Sequence, residues 1–177
     1  MEYTLFSEFQ SHEPEFDYLK SLEIEEKINK IKWLPHVMEN HHVLLSTNDK
    51  TIKLWRINEH QAQEVISLST GKGPSGAFGA GVSALPMRRL GLPKIAYGDV
   101  VVSAHQKRVF SNAHAYHINS ISLSSDKQTF LSADDLRVNL WHIGLAEQSF
   151  NVVDIKPESL DEVFEVITTA SFHPSHC

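Results

Sequence analysis

One pattern occurs twice in this chain and restricts its fold more than any other feature. Ile28-Asn29-Lys30-Ile31-Lys32-Trp33 resembles Ile118-Asn119-Ser120-Ile121-Ser122-Leu123. Both strings alternate apolar and polar residues, the period of a strand with one buried face. A turn-rich break follows each, residues 35–42 in the first copy and 124–128 in the second. Short apolar segments come next, Val43-Leu44-Leu45-Ser46 and Thr129-Phe130-Leu131-Ser132, and then the polar turns Asn48-Asp49-Lys50 and Asp134-Asp135-Leu136. Turns of this composition join antiparallel strands. Each copy closes on a third strand ending in Leu-Trp, residues 51–55 and 137–141. Ile28 to Trp55 spans 27 positions and Ile118 to Trp141 spans 23, which places the longer hairpin loop in the first copy. A third copy opens at Val166-Ile167-Thr168-Thr169-Ala170-Ser171-Phe172-His173-Pro174, and the chain of 177 residues includes only its opening strand.

Units of three or four short antiparallel strands closing on Leu-Trp are the signature of a WD repeat. The expected fold is therefore all-β, a WD-repeat β-propeller over residues 1–177, incomplete at about two to three blades. In such a blade the tryptophan lies between neighbouring sheets. A serine, an aspartate and a preceding histidine form a hydrogen-bonded chain to its indole N–H, which satisfies polar groups that are costly to bury alone. The second copy supplies Ser132, Asp135 and Trp141, with His114 or His117 upstream. The first supplies Ser46, Asp49 and Trp55 with no histidine at the matching place, so its chain is expected to be incomplete. Both aspartates stand six residues before their tryptophan.

Residues 59–108 do not fit the repeat. They hold seven of the eight glycines, five of them within residues 67–84, which read as a flexible loop within a Gly/Pro-rich insertion at 67–91. Val100-Val101-Val102, Arg108-Val109-Phe110 and Ser149-Phe150-Asn151-Val152-Val153-Asp154 read as further strands.

Charge is unevenly placed. Residues 13–26 carry six acids against Lys20, and residues 72–108 carry six bases against Asp99. The acidic stretch is either a solvated face or a surface for a basic partner. A net charge of −6 argues against a nucleic-acid binder. No apolar run approaches the length of a membrane helix, and the first residues lack the pattern of a signal peptide. Cys177 is the single cysteine, so no internal disulfide forms. These features give the expectation of an intracellular, cytoplasmic protein with no membrane partner, the nucleus being the other compartment open to it.

The candidate chemistry is thin. Gly71-Lys72-Gly73-Pro74-Ser75-Gly76 fits G-x-G-x-x-G, but Gly79, Gly81 and Pro86 would break the helix such a phosphate loop must open. The eleven histidines come with no H-E-x-x-H and no cysteine pair, so no metal is expected. Asp134 and Asp135 are neighbours on an extended chain and point opposite ways, which suits a turn better than a shared proton. No catalytic residues and no cofactor are expected.

Several long strings resemble the 55 kDa regulatory B subunit family of protein phosphatase 2A. They are residues 12–31 (His12-Glu13-Pro14-Glu15-Phe16-Asp17-Tyr18 to Ile31), 46–55 (Ser46-Thr47-Asn48-Asp49-Lys50 to Trp55), 112–121 (Asn112-Ala113-His114-Ala115-Tyr116-His117 to Ile121), 132–141 (Ser132-Ala133-Asp134-Asp135-Leu136-Arg137 to Trp141) and 148–157 (Gln148-Ser149-Phe150-Asn151-Val152-Val153-Asp154 to Pro157). The resemblance covers roughly residues 7–58 and 107–177. It implies a seven-bladed propeller that binds the phosphatase scaffold and catalytic subunits and recruits basic phosphoprotein substrates through an acidic groove. The groove positions it implies here are Phe16, Lys20, Glu25, Glu26, Tyr116, His117 and Asp135, while Ser46, Asp49, Trp55, His114, Ser132 and Trp141 are structural. Asp135 thus has two roles open to it, turn and groove. In the family a long hairpin after the first Leu-Trp grips the scaffold. The Gly-rich stretch here departs from it, so weaker scaffold binding is expected. The truncated third copy reads as the end of an N-terminal fragment. A WD-repeat interaction module unrelated to phosphatase is the rival reading.

Overall fold

The structure is a computed structural model and describes residues 2–18, 21–35, 41–66, 94–158 and 165–176. The described residues form ten strands: β1 (Glu15–Asp17), β2 (Leu22–Ile24), β3 (Lys30–Trp33), β4 (His41–Thr47), β5 (Ile52–Ile66), β6 (Lys94–Phe110), β7 (Ser120–Leu123), β8 (Thr129–Ala133), β9 (Arg137–His142) and β10 (Leu145–Asp154). They make a two-stranded ribbon, β1-β2, and two four-stranded sheets in the orders β3-β4-β5-β6 and β7-β8-β9-β10. The fold is all-β, and each four-stranded sheet is one propeller blade built from one copy of the sequence repeat.

The chain divides into two compact units. The larger comprises residues 1–59 and 102–177 and contains the ribbon, both blades and the third repeat opening. The smaller is residues 60–101, the distal parts of β5 and β6, where Gly98 lies beside Ala62. The insertion at 59–108, which does not fit the repeat, is strand up to Ile66 and from Lys94 onward, and β6 includes the strand segments expected at 100–102 and 108–110. The Gly/Pro-rich stretch at 67–91 lies outside the described residues, as does Cys177.

Consecutive strand residues face opposite ways, so the Leu-Trp pair of each third strand gives one side chain to each face of its sheet, although β5 continues past Trp55 to Ile66 and β9 to His142. In the first blade Leu54 pairs across the ladder with Leu45, and Trp55 with Leu44. Leu45, Ile52 and Leu54 face the second blade and pack with Ile118, Ile121, Phe130 and Trp141 in the main core. Leu44, Trp55 and Ile57 occupy the opposite face with Phe9, Val102 and Ala104. A sheet covered on both faces explains the uninterrupted apolar run at 43–45. Phe110 ends β6 within the main core, edge-on to Phe130 (5.0 Å) and Trp141 (5.4 Å). Each such side chain stabilises the core by about 1.5–3 kcal/mol through burial.

The blades join by a hydrogen-bond motif that repeats. Ile118 N–H donates to the Asp49 carbonyl (3.0 Å), and Ile167 N–H donates to the Asp135 carbonyl (2.7 Å). The Asn29 amide reaches the Ile118 carbonyl at 3.4 Å, and the Asn119 amide reaches the Ile167 carbonyl at 2.6 Å. The opening isoleucines of the second and third repeats are thus each bracketed by an asparagine and an aspartate of the repeat before. The third repeat opening continues along β7, where Ala170 N–H donates to Ser120 Oγ and Phe172 N–H to Ser122 Oγ.

Candidate functional site

The second repeat builds a complete polar chain under its tryptophan. Trp141 Nε1 donates to Ser132 Oγ at 2.8 Å, Ser132 Oγ meets His114 Nε2 at 2.6 Å, and His114 Nδ1 meets Asp134 Oδ2 at 2.9 Å. Asp134 Oδ1 accepts from the backbone N–H groups of Leu136 and Arg137. The histidine is His114 and not His117. The carboxylate is Asp134, so the assignment of Asp135 to this chain is corrected by one residue. Counting six back from tryptophan picked the half-buried Asp135 in place of its fully buried neighbour Asp134. Burial alone would raise the Asp134 pKa, but the hydrogen bonds from His114 and the two N–H groups outweigh it and hold the carboxyl below its ordinary value.

The first repeat solves the same problem with different residues. Asn48, two residues after Ser46 as Asp134 is two after Ser132, accepts from Lys50 N–H, Thr51 N–H and the Thr51 hydroxyl. Asp49 is therefore not part of the chain to Trp55. Trp55 Nε1 donates to Ser11 Oγ at 2.9 Å, and Ser11 Oγ lies 2.6 Å from Ser46 Oγ and 3.1 Å from His12 Nδ1. A histidine is present after all, supplied from the N-terminal segment. Burial and the neighbouring Lys53 ammonium lower the His12 pKa from 6.5 to about 4, against a weaker opposing contact with the Thr51 backbone. Phe9 packs on Trp55 at 4.7 Å, as Phe110 does on Trp141. The N-terminal segment thus stands to the first blade as the end of β6 stands to the second. Sequence reasoning missed Ser11 and His12 because 15 residues separate His12 from Ile28, where only three separate His114 from Ile118.

At the rim of the two blades the ribbon, the turn after β4 and the segment before β7 enclose a cavity of about 210 Å³. Its lining includes Asp17, Glu23, Asp49, Lys50, Tyr116 and His117. Three carboxylates face two nitrogen bases, and a phenol stands beside them. Asp49 Oδ1 accepts from the Asn29 amide (2.8 Å) and lies 3.3 Å from His117 Nδ1. Of the expected groove residues, the structure brings Tyr116 and His117 to this cavity. Phe16 lies on the ribbon beside Asp17, with its ring edge-on to Tyr18 at 5.1 Å. Glu25 and Glu26 are exposed just beyond β2, and the Glu25 carbonyl accepts from Asn48. Asp135 is half-buried in the corresponding turn of the second blade. Lys20 lies outside the described residues. Asp17 and Glu23 had a signal in the sequence, the acidic stretch at 13–26, but the stretch alone did not say which acids turn inward.

The chain is matched by no protein-family model. It is 56% identical over 176 residues to the protein phosphatase PP2A regulatory B subunit of Candida tropicalis. The chain is homologous to the regulatory B subunits of protein phosphatase 2A. Identity to the Schizosaccharomyces pombe regulatory B subunit is 54% over 179 residues. To the gamma isoform of the rat serine/threonine-protein phosphatase 2A 55 kDa regulatory B subunit it is 53% over 177 residues. Each match covers 99% of this chain and between 34% and 38% of the relative, so the chain spans about a third of the length of the B subunits it matches. The likeness therefore includes residues 59–106, which the string-by-string resemblance left out.

Proposed function

We propose that the chain acts in the regulatory, substrate-recruiting subunit of serine/threonine protein phosphatase 2A, by binding and not by catalysis. The observation that carries this reading is identity of 53–56% over 99% of the chain to proteins named as regulatory B subunits. The rim cavity supports it, since Asp17, Glu23 and Asp49 give negative lining suited to a lysine- or arginine-rich substrate segment. Phe16, Lys20, Glu25, Glu26, Tyr116, His117 and Asp135 are the proposed contacts with that segment. Asp134 fills the structural role in the turn, which leaves Asp135 to the groove. The scaffold and catalytic subunits are the proposed protein partners, and the extended strands β5 and β6 support scaffold contact. A cytoplasmic location, with the nucleus as well, belongs to the same proposal.

The test is reconstitution with purified scaffold and catalytic subunits. The chain is expected to be retained on the scaffold and to speed dephosphorylation of a Lys/Arg-rich phosphopeptide. Glu26→Lys should slow association and weaken its salt dependence while the fold persists. Asp135→Asn should lower peptide affinity at unchanged thermal stability. Absence of both retention and acceleration would overturn the proposal.

A further inference from the structure

Asp49 and Asp135 hold the same position in their repeats, and so do Asn29 and Asn119. Their backbones behave alike, as the repeated bracket around Ile118 and Ile167 shows. Their side chains do not. The Asn119 amide goes to the Ile167 carbonyl, while its Oδ1 is buried without a hydrogen-bond partner among the described residues. The Asn29 amide is directed mainly at the Asp49 carboxylate, 2.8 Å away, with the Ile118 carbonyl at 3.4 Å as the weaker contact. That same Asp49 oxygen is 3.3 Å from His117 Nδ1. His117 follows Tyr116, and both line the rim cavity.

The three side chains form a relay across the blade boundary, from the residue leading into β3 through the turn after β4 to the segment before β7. His117 is 72% exposed in its side chain and Asp49 only 20%. An exposed imidazole with one partner has many rotamers open to it. A carboxylate fixed from the other side by an amide narrows them, as an outer partner fixes a histidine ring. We propose that Asn29 is a positioning residue of the rim cavity, acting through Asp49 to set the orientation of His117 and, with it, the Tyr116–His117 wall. Asn29 lies outside the cavity lining, so its effect is transmitted and not direct. The binding consequence rests on the proposed function; the effect on the imidazole does not.

The second repeat supplies the control. Asn29→Ala and Asn119→Ala each remove one inter-blade hydrogen bond, but only the first removes a partner of a cavity carboxylate. In the full chain, Asn29→Ala should shift the ¹⁵N resonances of the His117 ring and weaken a Lys/Arg-rich peptide about three- to tenfold, a usual range for coupled neighbours. Asn119→Ala should lower thermal stability and leave both readouts unchanged. Asp49→Ala keeps the backbone bracket to Ile118, and in that background Asn29→Ala should have no further effect on His117. Equal effects of the two asparagine variants on the imidazole, or an undiminished effect of Asn29→Ala without Asp49, would overturn the proposal. If the unaltered chain binds no basic peptide, the recruiting function fails, and the ¹⁵N measurement still decides the role of Asn29.

Discussion

Ile31 and Ile121 stand at the same place in their repeats, yet Ile121 is 4% exposed and Ile31 is 52% exposed. The same holds for Ile118 at 1% and Ile28 at 41%. The sequences differ little, so the difference comes from what lies alongside. The second opening strand is covered by Leu45, Ile52 and Leu54 of the first blade. Against the first opening strand lies the N-terminal segment, where Phe6 and Trp33 border cavities of about 580 and 530 Å³. A blade is thus a unit whose residues gain their stabilisation from the neighbour. Repeat proteins divide their free energy between repeats and interfaces in this way.

The polar chains give the largest expected contrast. Asp134 and His114 are buried and paired, with side-chain exposures of 0% and 1%. Asp134→Ala leaves that histidine and two backbone N–H groups without their acceptor and should cost about 3–5 kcal/mol. Asn48→Ala removes a neutral acceptor from a comparable turn and should cost about 1–2 kcal/mol. Chemical denaturation of the two variants measures both. Equal losses would mean that the two chains are energetically equivalent despite their different residues.

Coverage of the opening strands gives the next contrast. Ile121→Ala should cost about 2–4 kcal/mol through lost burial and the cavity left behind. Ile31→Ala should cost under about 1 kcal/mol, since much of the side chain already faces solvent. Thermal melts of the pair decide the point. A large loss for Ile31→Ala would show that its exposed face is covered in solution.

Acid should separate the repeats as well. The folded state holds His12 neutral with a pKa of about 4, while the unfolded chain protonates it near 6.5. The unfolded state therefore binds more protons between these values. The stabilisation is fully present above pH 6.5 and is lost as pH falls towards 4, by about 1–3 kcal/mol. Asp134 is held below its ordinary value, so its contribution is lost only at more acid pH, as its folded carboxyl takes up a proton. Hydrogen exchange corrected for intrinsic rates should show the first blade loosening between pH 6.5 and 4 while the second holds. His12→Gln should remove that dependence, and its persistence in the variant would shift the cause elsewhere.

Much of this architecture could be read from the sequence because strand period, turn composition and the Leu-Trp ending are local. The third repeat opening could be read for the same reason, and Ile167 does take the place that Ile118 takes. What escaped was set by distance along the chain. Ser11 and His12 join the first repeat's chain from across a ribbon that no repeat alignment includes, and the chain stops at His12, whose Nε2 is buried without a hydrogen-bond partner among the described residues. The choice of Asp134 over Asp135 turns on which neighbour faces inward, and both choices keep a plausible spacing to tryptophan. The lining of the rim cavity needs three segments brought together; the resemblance marks Tyr116 and His117 as groove positions, while Asp49 reads from the repeat only as a turn residue.

The smallest prediction concerns the hairpin turn between the first two strands of the second blade. Residues 124–128 form a tight turn in which Asp126 accepts from Gln128 N–H, Thr129 N–H and the Thr129 hydroxyl. Ser124 N–H donates to the Thr129 carbonyl, and Lys127 N–H to the Ser124 carbonyl. Closing so short a loop forces Lys127 to φ 59°, a left-handed conformation in which a Cβ is crowded by the backbone. Glycine has no Cβ and adopts this conformation without strain, but it also gives the unfolded chain more freedom. The two effects oppose each other, and the steric one is the larger at a fixed positive φ. Lys127→Gly should therefore stabilise the chain by about 0.5–1 kcal/mol, read as a rise in the denaturation midpoint at unchanged slope. Lys127→Val, with a branched Cβ in the same place, should move the midpoint the other way. If glycine lowers the midpoint, the hydrogen bonds of Asp126 hold the turn so firmly that side-chain strain at Lys127 does not limit it.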